Sequence, residues 1–184
     1  MHQPNIENPN LDSSASSRFA TAFHVLFQTL LVAAFAMWFG GFGFYVSFVV
    51  PVGNEVLGST FEQGLITREV TVPLNWLGLF AGLLMLCDVI LMRFSGQSPG
   101  RRMPLLAVGA MAIVILVMQV ALFWLHPQID AFVDLEIHEI KDDYDQFYWL
   151  HRLYLWASTI QWIAAWVWLL FRVSLWRTAR RLSK

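Results

Sequence analysis

Residues 19–50 contain no Asp, Glu, Lys or Arg. The hydrocarbon core of a bilayer is roughly 30 Å thick and takes about 20 helical residues at 1.5 Å each, so this one run is more than long enough to cross it. Three further stretches repeat the pattern. Pro73 to Met92 carries only Asp88, Leu105 to Leu125 carries no charge, and Phe147 to Phe171 carries only Arg152. The chain is therefore predicted to be all-α, a four-helix transmembrane bundle. Composition agrees, with 57% of 184 residues apolar and 14% charged, against about half and about a quarter in soluble domains. Apolar residues gathered into such runs exclude a disordered chain and a nucleic-acid binder. A lone Cys87 excludes a disulfide scaffold.

The expected organisation is a disordered tail over residues 1–18, a transmembrane domain over 19–171 and a basic tail over 172–184. Ala34-Phe35-Ala36 has the look of a signal-peptide cleavage site, but the apolar run continues well past it and only Arg18 precedes it, so an uncleaved first span is expected. Pro73 and Pro104 are placed in first helical turns and Pro51 and Pro127 just past helix ends, where a missing N–H costs least.

Four spans put the N-terminal tail, the loop from Arg93 to Arg102 and the C-terminus on one side. That side holds nine basic residues and two acidic ones, whereas the other holds three basic and ten acidic. By the positive-inside rule the basic side faces the cytoplasm. The expected location is the cell (inner) membrane, multi-pass, with both termini cytoplasmic and an acidic outer face. Trp76, Trp124 and Trp149 fall near outer ends of spans and Trp176 beyond an inner end, as interfacial belts require. Trp156, Trp162, Trp166 and Trp168 fit packing or lipid contact.

Small residues let helices approach closely in lipid. Gly78 and Gly82 form G-x-x-x-G on span two, and Ala36, Gly40, Gly43 and Ser47 offer the same spacing on span one, so these two spans are expected to pack together. The outer segment Gly53 to Val72 is long for a plain turn. Leu57, Phe61 and Leu65 recur every four residues, which predicts a short interfacial helix in this first outer loop.

Two groups of residues are candidates for chemistry, because ionisable side chains inside a membrane are costly. On the inner side, His24 lies six residues past Arg18 and Asp88 five before Arg93, at matching depths of about 9 and 8 Å, with Gln28 one turn along. These can orient an imidazole or receive a polar ligand, or simply tie two helices. On the outer side, His126 and His151 end adjacent spans near a loop with His138 and several carboxylates. Two or three His with Asp or Glu can hold zinc or copper; the plainer alternative is a solvated acidic loop. Met85 with Met92 and Met111 with Met118 read as packing. No phosphate loop and no Ser or Cys nucleophile with a base is found.

The run Met37-Trp38-Phe39-Gly40-Gly41-Phe42-Gly43, leading to Val49-Val50-Pro51, resembles the Trp-x-Gly-Gly segment of small four-span bacterial membrane families of unknown function. Leu150-His151 resembles their Leu-His motif. More distantly, a His early in span one followed by Trp-x-Gly-Gly is similar to CopD-like copper-resistance families and their haem-associated relatives. That resemblance implies four helices and carries over His24 and His151 as cofactor-binding positions, to which Asp88 is added by its matching depth with His24; the middle spans have no further intramembrane His. The expected function is a membrane protein that binds a metal ion or cationic ligand at its acidic outer face through His126, His138 and His151. Alternatives are a haem-dependent redox protein and a structural subunit. Expected partners are the lipid bilayer and a homo-oligomer or membrane complex, with no nucleic acid.

Overall fold

The structure, a computed structural model, describes residues 9–94, 102–134, 139–140 and 144–182. Helix α1 (Pro9–Phe44) passes through a π turn (Tyr45–Val49) into α2 (Val50–Leu57). Then come α3 (Thr60–Phe94), α4 (Arg102–Asp130), a two-residue ladder of β1 (Val133–Asp134) with β2 (Glu139–Ile140), and α5 (Tyr144–Leu182). Four helical rods are long and apolar enough to cross a membrane: Arg18–Leu57, Thr60–Phe94, Met103–Asp130 and Tyr144–Leu175. The protein is an all-α four-helix bundle of the multi-pass membrane kind.

The boundaries differ from the expected ones for reasons of helix chemistry. α1 begins at Pro9, so residues 9–18 are helical and not a loose tail; Pro suits a first turn, and a helix already nucleated by its apolar span propagates outward at little cost. Pro73 and Pro127 lie inside continuous helices, as is tolerated where neighbouring groups in a bundle re-satisfy the freed backbone. Pro51 marks the change of register. It has no N–H for the Ser47 carbonyl and its ring crowds that carbonyl, and just before it the Val50 N–H reaches Tyr45 O, the five-residue π spacing.

The segment 53–72 is helical but does not form one surface helix. Gly58 stops α2 with φ 63, a left-handed cap that favours glycine, and its N–H donates to Asn54 O at 3.1 Å. Ser59 starts α3 by accepting the Glu62 N–H at 3.3 Å, the Ser-x-x-Glu signature of a helix start. Leu57 and Phe61 thus belong to two helices of a tight hairpin.

α1 packs on α3, α3 on α4 and α4 on α5. The buried face of α3 repeats at helical spacing through Asn75, Gly78, Ala81, Gly82, Met85 and Asp88, and the core joins Leu31, Phe35 and Trp38 to Met85, Ile115, Ala165 and Trp168. Gly78 and Gly82 are where helices close in, but their neighbours are Trp38 and the α4 residues Gln119, Leu116 and Ile115. The small residues Ala36 and Gly40 of α1 are exposed instead, with open space beside Gly40; Trp38, two residues away, has taken the inward face. Phe39 stacks on Trp162 at 5.1 Å and Phe35 lies 5.5 Å from Trp168, so these two Trp seal the α1–α5 seam. Trp156 and Trp166 are exposed on the apolar surface.

Cross-helix pairs fix the relative heights. Asp130 meets Arg68, Gln119 lies at Gly78 and Gly109 at Val89; Gln28 meets Asp88 and Tyr45 meets Thr67. The charge-free stretch 105–125 of α4 is therefore level with residues near 72–93 of α3 and 22–43 of α1. Residues 44–57 extend about 20 Å past it at the acidic end.

Candidate functional sites

The buried polar residues form three groups along the bundle. At the basic end, Asp88 is 1% exposed. Its Oδ2 lies 2.7 Å from Arg172 Nε, and its Oδ1 accepts from Arg172 Nη2 at 3.0 Å and Gln28 Nε2 at 2.6 Å. Arg172 Nη2 also donates to Gln28 Oε1 at 3.1 Å. Asp88 and Gln28 come together as expected, but Arg172 takes the place foreseen for His24. His24 is exposed one turn, about 6 Å, nearer the chain start. The helix of span four runs through Phe171 without a break, so Arg172 is not in a tail; it turns inward and its charge cancels that of Asp88. The basic side accordingly loses one charge to the bundle interior.

At mid-height, Gln161 Nε2 donates to Gln119 Oε1 at 2.8 Å and to Ile115 O at 3.1 Å, joining α5 to α4. Interhelical amide bonds of this kind hold helices together where no hydrophobic effect acts between them.

At the acidic end, α4 continues through Pro127, which places His126 and Asp130 one turn apart on the same face. Arg68 Nε donates to Asp130 Oδ1 at 2.9 Å. Thr71 Oγ1 donates to the Arg68 carbonyl at 3.0 Å and lies 3.3 Å from His126 Nε2. With the Thr71 hydroxyl hydrogen on that carbonyl, its oxygen accepts from the imidazole and the ring hydrogen sits on Nε2; with the hydrogen turned to the ring, the roles reverse. His126 Nδ1 lies 3.6 Å from Asp130 Oδ2, and in the first of these tautomers it presents a lone pair to it. Beneath them Asn75 and Tyr154 exchange hydrogen bonds, Nδ2 to the phenol oxygen at 3.0 Å and the phenol to Oδ1 at 3.3 Å, and the Tyr154 ring lies edge-on to His126.

The other candidate ligands are placed elsewhere. His151 stacks on Phe147, ring centres 6.0 Å apart, about one turn beyond the height of Tyr154. His138 lies outside the described residues. Among the described residues no three His, Cys, Asp or Glu side chains converge on one point. His24 and His151 sit at opposite ends of the bundle: Arg172, level with Gln28, is 21 residues from His151, or about 31 Å along α5, so the two imidazoles do not share one haem iron. Asp130, Thr71, Tyr154 and Arg172 carry these sites and were not singled out from the sequence. No family model matches the chain, and neither a curated protein nor a solved structure matches it.

Proposed function

We propose that the protein is a binding protein of the cell (inner) membrane, both termini cytoplasmic, that holds a divalent metal ion at its acidic outer end between His126 and Asp130. The observation that carries this reading is the approach of His126 Nδ1 to Asp130 Oδ2 at 3.6 Å, two atoms that can both serve as ligands. Two ligands each about 2.1 Å from a tetrahedral zinc stand about 3.4 Å apart, so the gap suits a shared ion with little movement. The surrounding groups have the roles of an outer coordination layer. Arg68 holds Oδ1 and leaves Oδ2 toward the imidazole, and Thr71 can accept from Nε2, the tautomer that leaves Nδ1 free for a metal. Both side chains are part-exposed, which gives an ion a route in and leaves positions for water or for further ligands. The excess of carboxylates on this side raises the local concentration of cations. The orientation rests on the charge asymmetry across the four spans.

Zinc or copper titration of the purified protein, with metal content measured after gel filtration, tests the proposal. One ion per chain is expected, with loss of binding in His126→Ala and in Asp130→Asn and retention in His24→Ala. Absence of stoichiometric metal, or binding that survives both substitutions, sinks it and leaves a proton as the cation shared by His126 and Asp130.

A further inference from the structure

The arginine at the acidic end divides its charge between two carboxylates. Arg68 Nε donates to Asp130 Oδ1 at 2.9 Å, and its Nη1 lies 3.5 Å from Glu69 Oε1. Asp88 at the other end is gripped on both oxygens, by Arg172 Nε at 2.7 Å and Nη2 at 3.0 Å. Arg68 instead takes one oxygen of Asp130 and leaves Oδ2 beside His126 Nδ1. The Arg68 and Asp130 side chains are part-exposed and Glu69 is exposed, so water reaches all three. His126 in its neutral form, Asp130 and Arg68 sum to zero charge, and only the outlying Glu69 makes the group negative.

We propose, resting on the reading of His126 and Asp130 as a cation site, that Arg68 is a resident counter-ion that keeps this site weak, so that the bound ion exchanges with the outer solution and is not a permanent structural metal. An ion on Oδ2 stands about 5 Å from the guanidinium, given the 2.9 Å contact on Oδ1 and a metal–oxygen bond of about 2.1 Å. Arg68 acts on that ion in two opposed ways. Its hydrogen bond orients Asp130, which favours binding, and its charge repels the ion, which opposes binding. The orienting effect is the smaller one. Asp130 is part-exposed, and a hydrogen bond that water can replace contributes little net, whereas water does not remove the charge. A part-exposed unit pair is worth a factor of about two to five, and doubling one charge squares that factor, so the repulsion amounts to about ten-fold in affinity. Glu69 works in the other sense. By holding Nη1 it draws part of the guanidinium charge away from Asp130. Opposite effects of Arg68 and Glu69 on one ion follow from this arrangement, and an arginine that merely orients Asp130 does not give them.

The test measures zinc affinity of the full chain in detergent micelles by competition with a chromophoric chelator, and zinc release to excess chelator. Arg68→Gln keeps a donor for Oδ1 and removes the charge. It should bind zinc about ten-fold more tightly than wild type and release it about ten-fold more slowly, a gain that misfolding does not produce. Arg68→Lys keeps the charge and should stay within about three-fold of wild type, while Glu69→Gln should bind about three-fold more weakly. The advantage of Arg68→Gln should shrink below about three-fold at about 1 M salt, where charges are screened beyond about 3 Å. Arg68→Gln binding no more tightly than wild type, or Arg68→Lys gaining affinity along with it, would overturn the proposal and leave Arg68 as an orienting group. Zinc held by wild type but more weakly by Arg68→Gln overturns the role of Arg68 alone. Zinc held by neither overturns the cation site and this proposal together.

Discussion

The two ends of the bundle use the same chemistry, a carboxylate with an arginine, to opposite effect. Asp88 and Arg172 are almost fully buried, and Gln28 closes the ring between them. Charges cancel within the site. Asp130 and Arg68 are part-exposed, and the arginine engages one carboxylate oxygen, leaving the other 3.6 Å from the His126 imidazole. The first arrangement is complete and locks α1, α3 and α5 together. On the reading proposed above, the second is completed by a positive charge in the gap. An ionisable residue inside a membrane is therefore no guide to function by itself; what distinguishes a lock from a site is whether its acceptors are matched by donors.

The largest effect that separates the ends is expected at the lock. Arg172→Met leaves a carboxylate buried without its counter-charge, which costs about 3–5 kcal/mol when one partner of a buried pair is removed. Asp88→Leu combined with Arg172→Met should recover most of that, because both charges go together. Reversible unfolding in mixed micelles measures both. A loss below about 1 kcal/mol for Arg172→Met, the size typical of an exposed pair, would show that the basic end is no more closed than the acidic one.

Next in size is the close approach between the ends. A Cβ at Gly78 would lie 2.5 Å from Gln119 Oε1 and 2.7 Å from Trp38 Nε1, so Gly78→Val is expected to cost about 1–3 kcal/mol by overpacking. Gly40→Val, with open space around it, should stay within about 0.5 kcal/mol. Equal effects at the two glycines would break the assignment of Gly78 to the packed face and Gly40 to the outside.

Much of this was legible in the sequence, and the misses share a cause. Charge-free runs gave the four helices, and Asp88 was recognisable as the acidic group within a span. Its partner was not, because ending span four at Phe171 put Arg172 in a tail, although a long arginine at a helix end readily turns its head toward a buried carboxylate. The acidic end repeats the error. His126 was recognised, but reading Pro127 as a helix stop moved Asp130 into a loop and hid an i, i+4 pair. The hairpin is marked by Gly58 and by Ser59 with Glu62, signals that outweigh the four-residue recurrence of Leu57, Phe61 and Leu65. Chain ends and prolines punctuate soluble helices well, but within a bundle neighbouring helices re-satisfy the backbone, so the punctuation weakens. Which side chain faces which neighbour depends on helix rotation and height, and a single sequence carries little of that.

The smallest effect on stability is expected at Thr71, and it discriminates most sharply between the ends. Thr71→Val keeps the shape and removes the oxygen that lies 3.3 Å from His126 Nε2 and, on the proposed reading, accepts from it. Hydrogen bonds between helices in a membrane contribute about 0.6 kcal/mol on average, so unfolding should barely move. Metal affinity should fall about 10–100-fold, the usual cost of removing an outer-layer partner, because the imidazole is then free to place its hydrogen on Nδ1 and donate to Asp130. A purely structural role for His126 predicts the reverse, a change in stability with nothing to measure in metal binding. The same logic applied to Gln28→Leu at the basic end gives a stability loss and no change in metal affinity. The pair of variants thus asks directly whether the acidic end is a site and the basic end a lock.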